Sequence, residues 1–442
     1  PCIILLKPES PVCIGQANLG KQFFVRKAQV QTMIYPLRIL ASVLLLSSLF
    51  MMGYGFTQSG RIAASRASSQ LNMAEGDISR SEFITKSAAV GGTVAASGLW
   101  TPSVFAATEK RKAWEKVELP SGATLFDIDF DTKNPDHGFL VGAKGTFLET
   151  FNGGKSWGVR TFSNLDEDEE INYRFEKVSF LDGEAWIIGK PPILLHTRDD
   201  GKSWERIPLS PKLPGEPSGI IATGNEQAEM TTSTGAIYYT GNQARNWKAQ
   251  LKETIDATLN RVSSSGVSGA SFFSGTINDC KRDVNGNYLA VSSRGNFYLT
   301  WVPGQDFWIP HNRGTPRRIQ NMGFIQDDIK NGVWMSLNGG LLQLTEPGQE
   351  INGINDAKFK DAKIKSGGYG ILDCTWKDEK EVWAVGGGGT MYYSRDGGNE
   401  FKFDSSADKI PGNLYTCKFF GPNKGFVLGS DGVLLRYAAG DA

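Results

Sequence analysis

One phrase recurs along this chain and leaves it few ways to fold. Leu140–Trp157 reads LVGAKGTFLETFNGGKSW, and Ile187–Trp204 reads IIGKPPILLHTRDDGKSW. The two align without a gap, Gly142 on Gly189 and Trp157 on Trp204. The phrase returns at Met230–Trp247 and at Ala384–Phe401. Degenerate copies occupy Ala290–Trp308 and Trp334–Leu344, and a half-copy at Val427–Tyr437 makes seven. A period of about 40–50 residues built from short strands predicts propeller blades.

Within each copy the chemistry is that of two β-hairpins. An apolar strand meets a turn of small or polar residues, such as Ala143-Lys144-Gly145 or Ser293-Arg294-Gly295. Gly fits where a tight turn needs positive φ, and Asn or Asp bonds its own backbone there. A second turn follows the next strand and carries a spaced signature, Thr197-x-Asp199-x-Gly201-x-x-Trp204. Thr150/Asn152/Gly154/Trp157 and Ser394/Asp396/Gly398/Phe401 repeat it, and Thr240/Asn242/Trp247 does so with Ala244 in place of Gly. This resembles the Asp-box of sialidases and related propellers. Asn152, Asp199, Asn242 and Asp396 are read as structural turn staples rather than catalytic or metal-binding groups, because the same group recurs in several blades.

Each copy also has a strand before its glycine turn: Leu125–Phe130, Phe175–Phe180, Gly219–Thr223, Thr276–Arg282, Ile319–Phe324, Ile371–Trp376 and Leu414–Phe419. With the strand opened by Trp or Phe, every blade has four. The last copy lacks that fourth strand, and Trp114–Val117 is expected to supply it from the N-terminal side, closing the ring without open edges. The expected fold is all-β, a seven-bladed β-propeller over residues 107–442.

The chain starts at Pro1, and its first Met is Met33. Residues 1–32 are read as upstream or non-native sequence. Residues 33–106 read as a multipartite targeting leader. Met33–Arg38 is a basic n-region and Ile39–Met52 a short apolar run, which is signal-peptide composition. Phe56–Met73 is rich in Ser, Ala and Arg with no acid, as transit peptides are. Ser79–Lys86 resembles a twin-arginine signal, with Ser81 where the second Arg belongs. Ala88–Leu99 is a second small apolar run, and Val104-Phe105-Ala106 is an A-x-A-like cleavage site. Signals in series predict passage to a plastid's innermost space. A single uncleaved membrane anchor is the alternative.

The formal net charge of zero hides an asymmetry. Residues 1–106 carry 9 Lys+Arg against 4 Asp+Glu, leaving 38 against 43 in the propeller, about −5. That argues against nucleic acid as a partner. Cys280, Cys374 and Cys417 fall at equivalent inner-strand positions with no CxxC spacing, and read as small core residues. His137, His196 and His311 lie in different blades without ligand spacing, so neither a metal site nor any other cofactor is expected. Asp166–Glu170 reads as a solvated acidic loop. Leu251–Gly275, rich in Ser and Gly, is a long connection read either as functional or as a tolerated insertion.

Basic residues gather at particular blade positions. Arg174 and Arg318 both open inner strands, with Arg317 and Arg313 close before Arg318. Arg294 sits in a glycine turn. The lead-in to a first strand and the turn between strands two and three lie on the same face of an up-down blade. Arg174, Arg294, Arg317 and Arg318 are therefore expected to converge near the central channel, opposite the Asp-box turns. Such a face suits carboxylates. Local pairing of each Arg with an Asp or Glu is the alternative.

Four further stretches carry a resemblance across Trp114–Tyr437: Leu194–Leu209, Ala228–Thr240, Ser292–Gln305 and Pro310–Phe324. Together they are similar to the photosystem II stability/assembly factor family, seven-bladed propellers of the thylakoid lumen. The resemblance implies a non-enzymatic, chaperone-like factor, peripheral to the membrane. Its implied partners are precursor D1 and early reaction-centre intermediates with D2 and cytochrome b559. It also implies an Arg-rich docking face, at Arg174, Arg294, Arg317 and Arg318 here. A sialidase-like glycosidase or a glycan-binding propeller is the alternative. Glu205-Arg206-Ile207-Pro208 mimics the F-R-I-P motif but follows the second box instead of preceding the first, and no paired carboxylates can be assigned.

Overall fold

The computed structural model describes residues 112–438, apart from 163, 166, 256–274, 354 and 408–409. The leader and its cleavage site lie outside the described residues. Seven four-stranded antiparallel sheets form the blades. Their innermost strands are Leu125–Phe130, Arg174–Leu181, Pro217–Gly224, Ile277–Arg282, Ile319–Phe324, Ile371–Trp376 and Leu414–Phe419, for blades 1 to 7. Blade 7 is completed by Trp114–Val117, which pairs antiparallel with Leu434–Tyr437 in the register Trp114↔Tyr437 and Val117↔Leu434.

The core is divided among the blade junctions. Seven buried clusters each join two neighbouring blades. Second strands such as Gly138–Gly142 and Val382–Gly386 are buried on both faces, which explains their unbroken apolar runs. The Asp-box aromatic belongs to the junction with the preceding blade. Trp204 of blade 2 meets Phe139 and Phe147 of blade 1 at 5.7 and 5.4 Å between ring centroids. Cys374 and Cys417 are buried in junction cores, with Cys280 half-buried beside another.

The acidic run differs from the expected loop. Glu167–Asn172 forms a short α-helix, Glu170 is buried, and Glu169 meets Arg206 at 2.8 Å. The buried Glu170 and the Glu169–Arg206 pair turn this run into structure. Of the long connection, Leu251 and Ile255 are buried in the core between blades 3 and 4. Its remainder lies largely outside the described residues.

Candidate functional site

Every innermost strand has a β-bulge at the same place, for example between Leu125 and Asp127, Ile319 and Asn321, and Leu414 and Thr416. In blades 1, 5 and 6 the residue after the bulge reaches toward the next blade. Asp127 accepts the Val178 N–H at 3.2 Å, Asp373 accepts the Cys417 N–H at 3.0 Å, and Asn321 donates to the Leu372 carbonyl at 2.7 Å. In these blades the bulge places a polar group where two inner strands meet.

These residues line a central channel of about 430 Å³. Its charges neutralise one another. Lys418 Nζ lies 2.5 Å from Asp127, and Lys281 Nζ 3.2 Å from Asp373 and 3.7 Å from Asp279. Burial raises the Asp129 pKa to about 6 against the opposing pull of Lys418 and of amide hydrogen bonds. Burial also opposes the charged form of Asp279, but Lys177 and Lys281 outweigh it and hold that carboxyl low. The sequence reading missed this ring. Its signal was the alternation of charge in otherwise apolar strands, in Asp127/Asp129, Asp279/Lys281 and Asp373.

The Asp-box residues occupy the opposite face and are consumed by their turns. Asp199 accepts the Ser203 N–H at 2.9 Å and its hydroxyl at 2.6 Å, while Thr197 Oγ1 takes the Gly201 N–H at 3.1 Å. Partial burial opposes the charge, but those donors prevail and hold Asp199 at about 2. Asn152, Asn242 and Asp396 accept the amides of Ser156, Asn246 and Glu400, each at 3.0 Å. No group of His, Cys, Asp and Glu suited to a metal ion occurs among the described residues. His137 and His196 are buried against Glu149 and Glu184 at 2.8 and 2.7 Å, and His311 against Thr300 at 2.8 Å.

The other face carries the arginines. Each glycine turn leans on the lead-in of the next blade. A Cβ on Gly295 would stand 2.0 Å from the Ile319 carbonyl oxygen, and φ there is +63°, so only glycine fits. That packing gathers Arg294, Arg313, Arg317 and Arg318 at the junction of blades 4 and 5. Arg313 braces this group from within. Its guanidinium donates to the carbonyls of Thr315, Gly295, Asn296 and Pro316 and to Asn296 Oδ1, at 2.7–3.2 Å. Burial and the nearby Arg318 push its pKa down. Arg317 donates to the Asn338 carbonyl at 3.0 Å, and Arg294, Arg317 and Arg318 are exposed. None of these three makes an ion pair among the described residues.

Arg174 does not join them. It opens blade 2, three blades from Arg318, and is bonded to Glu176 at 2.6 Å while lying 5.6 Å over the Phe126 ring. Equivalent repeat positions share a face, but each blade is rotated about the channel, so they do not share a patch. The expectation of four converging arginines is corrected to a cluster at one junction, with Arg174 apart and locally paired.

The skipped bulge residues form the rim between them. In blades 2 to 5 they are polar: Glu176, Ser218, Asn278 and Gln320. In blades 6, 7 and 1 they are Leu372, Tyr415 and Phe126. Tyr369, in the lead-in of blade 6, is 54% exposed and Tyr415 37%.

Fold and site together define a closed seven-bladed β-propeller with stapled turns on one face and a cationic, partly aromatic mouth on the other. The family described as photosynthesis system II assembly factor YCF48 matches residues 106–438. The chain belongs to this family of photosystem II assembly factors. The chloroplastic photosystem II stability/assembly factor HCF136 of Guillardia theta is 57% identical over 325 residues, covering 74% of this chain and 82% of that relative. A solved structure of YCF48 from Cyanidioschyzon merolae is 53% identical with a TM-score of 0.70, covering 75% of this chain and 100% of the other. A second, described as YCF48 bound to D1 peptide, is 41% identical with a TM-score of 0.64, covering 75% and 96%.

Proposed function

We propose that this chain is a non-enzymatic assembly and stability factor that docks precursor D1 and early photosystem II intermediates, with D2 and cytochrome b559, through its arginine face. The observation that carries the reading is the exposed cluster of Arg294, Arg317 and Arg318 on a propeller 41% identical to a relative bound to D1 peptide. Guanidinium groups without local carboxylates keep their donors for an incoming one, and paired, desolvated Arg–carboxylate contacts are among the stronger polar interactions. Arg174, held by Glu176, would exchange that partner or serve as an outlying contact. The Asp-box carboxylates support a non-catalytic reading because their lone pairs are taken by their own turns.

The factor works in the plastid thylakoid lumen after its leader is removed, and meets the membrane only through its partners. The test is a pull-down from solubilised thylakoids. The mature propeller should retain D1 together with D2 and cytochrome b559. Retention of the same set by a propeller with Arg294, Arg317 and Arg318 changed to Ala would move docking elsewhere. N-terminal sequencing of the protein from thylakoids should find a start near Ala107; a start before Ala88 would contradict the processing.

A further inference from the structure

We infer that the apolar arc of Tyr369, Leu372, Tyr415 and Phe126, on blades 6, 7 and 1, is the second half of the docking site and seats a large apolar side chain of the same acidic peptide segment. The inference rests on the reading that the arginine cluster takes the segment's carboxylates.

Two observations support it. The first is exposure. Among the described residues the large hydrophobic side chains most open to solvent are Phe151, Val159, Val284, Tyr369, Phe403 and Tyr415. Phe151 lies in an Asp-box turn and Val284 in a turn on that same face, while Val159 and Phe403 lie on outermost strands. Tyr369 and Tyr415 alone of these six stand beside the channel mouth on the arginine side. Tyrosine and arginine are, with tryptophan, the residues enriched among binding anchors, and tyrosine presents large area at small conformational cost.

The second is continuity. Arg317 bonds the Asn338 carbonyl, and Gly340, two residues on, packs so closely that a Cβ would stand 2.1 Å from the Tyr369 carbonyl oxygen. The Tyr369 ring lies against Gly388, where a Cβ would meet it at 2.8 Å. The Gly388 N–H bonds Asn413 at 3.2 Å, two residues before Tyr415. The cationic cluster therefore runs without interruption into the apolar arc. Between Tyr369 and Tyr415 runs Gly386–Gly389, whose N–H groups at Gly386, Gly387 and Gly388 bond the Thr390 and Gly370 carbonyls and Asn413 Oδ1 and so tie the two tyrosines' surroundings together. An apolar patch continuous with a cationic one fits a peptide that carries a large apolar side chain beside its carboxylates. A purely acidic ligand would leave the arc unused.

The test uses the whole mature propeller and two synthetic peptides. One carries adjacent carboxylates and a phenylalanine, and the other has serine in place of the phenylalanine. Three proteins are compared by fluorescence anisotropy at low and moderate salt: the parent, Tyr369→Ser/Tyr415→Ser, and Arg294→Ala/Arg317→Ala/Arg318→Ala. Both tyrosines are exposed, so melting curves of the tyrosine variant should match the parent. The parent should prefer the phenylalanine peptide. The tyrosine variant should lose about tenfold in affinity for it, bind the serine peptide as the parent does, and keep the parent's salt dependence. Equal affinity of parent and tyrosine variant for the phenylalanine peptide, or no preference in the parent, would overturn the arc and leave the arginine reading intact. An arginine variant that keeps both affinities would overturn the arginine reading, and the arc with it.

Discussion

Trp114→Ala should open the ring at its closure. Trp114 is 1% exposed. Its ring sits edge-on to Trp383 at 5.3 Å and Tyr437 at 5.2 Å, and tilted against Phe419 at 5.7 Å. Truncating a buried Trp to Ala costs about 3–5 kcal/mol through lost transfer energy and the cavity left behind. The indole N–H has no hydrogen-bond partner among the described residues, so no hydrogen bond is lost. An orphaned donor costs about 1–3 kcal/mol to bury, so Trp114→Phe, which removes it and keeps an aromatic ring, should be much milder. At about 2 °C per kcal/mol, the low end of the scale because the domain is large, the Ala variant should melt about 6–10 °C below the parent. Scanning calorimetry of the mature propeller measures this. An Ala variant melting within about 2 °C of the parent would refute closure by this strand.

Three further outcomes follow from the same geometry. Arg313→Lys keeps the charge but can offer at most three donors where the guanidinium makes five contacts; peptide affinity should fall as the Arg294 turn loosens, and equal affinity would show that charge alone suffices. Asp199→Ala should cost about 1 kcal/mol, as loss of a capping side chain does, and leave partner binding unchanged; loss of sialoside turnover in this variant would favour the glycosidase alternative. The Asp129 pKa is raised to about 6 from the usual 3.8, so the folded state holds a proton that the unfolded chain releases between these values. Its stabilising contribution is complete below about pH 4 and is lost as pH rises through 6, at most about 3 kcal/mol. The parent should therefore gain stability relative to Asp129→Asn as pH falls from 7 to 5, and a pH-independent difference in urea midpoints would contradict it.

The blades were legible because their turns are chemically demanding. Gly295 and Gly340 must be glycine to let one blade touch the next, and Thr197, Asp199 and Gly201 staple a turn that few other residues close. Such positions recur and can be counted, and so the number of blades and the need for Trp114–Val117 emerged from sequence. The mouth was less legible. A β-bulge leaves no mark in composition, so the separation of polar rim residues such as Glu176 from Leu372, Tyr415 and Phe126 could not be read. Nor could the angle between blades, which sets Arg174 apart from Arg318. Arg313 resembled its neighbours in sequence, yet its guanidinium is spent on main-chain carbonyls. The run at Asp166–Glu170 looked solvated by charge alone, whereas Glu170 is buried.

The proposed recognition of D1 by the arginine face is tested most directly by titrating a lumenal D1 peptide into the parent and into the variant with Arg174, Arg294, Arg317 and Arg318 changed to Ala. A desolvated Arg–carboxylate pair costs about 2–5 kcal/mol when one partner is truncated, so affinity should drop by at least about 30-fold. The melting temperature should stay nearly constant, because exposed ion pairs contribute only about 0–1 kcal/mol each. Added salt should weaken the parent toward the variant. Undiminished binding by the quadruple variant, with the same salt dependence as the parent, would contradict docking at this face.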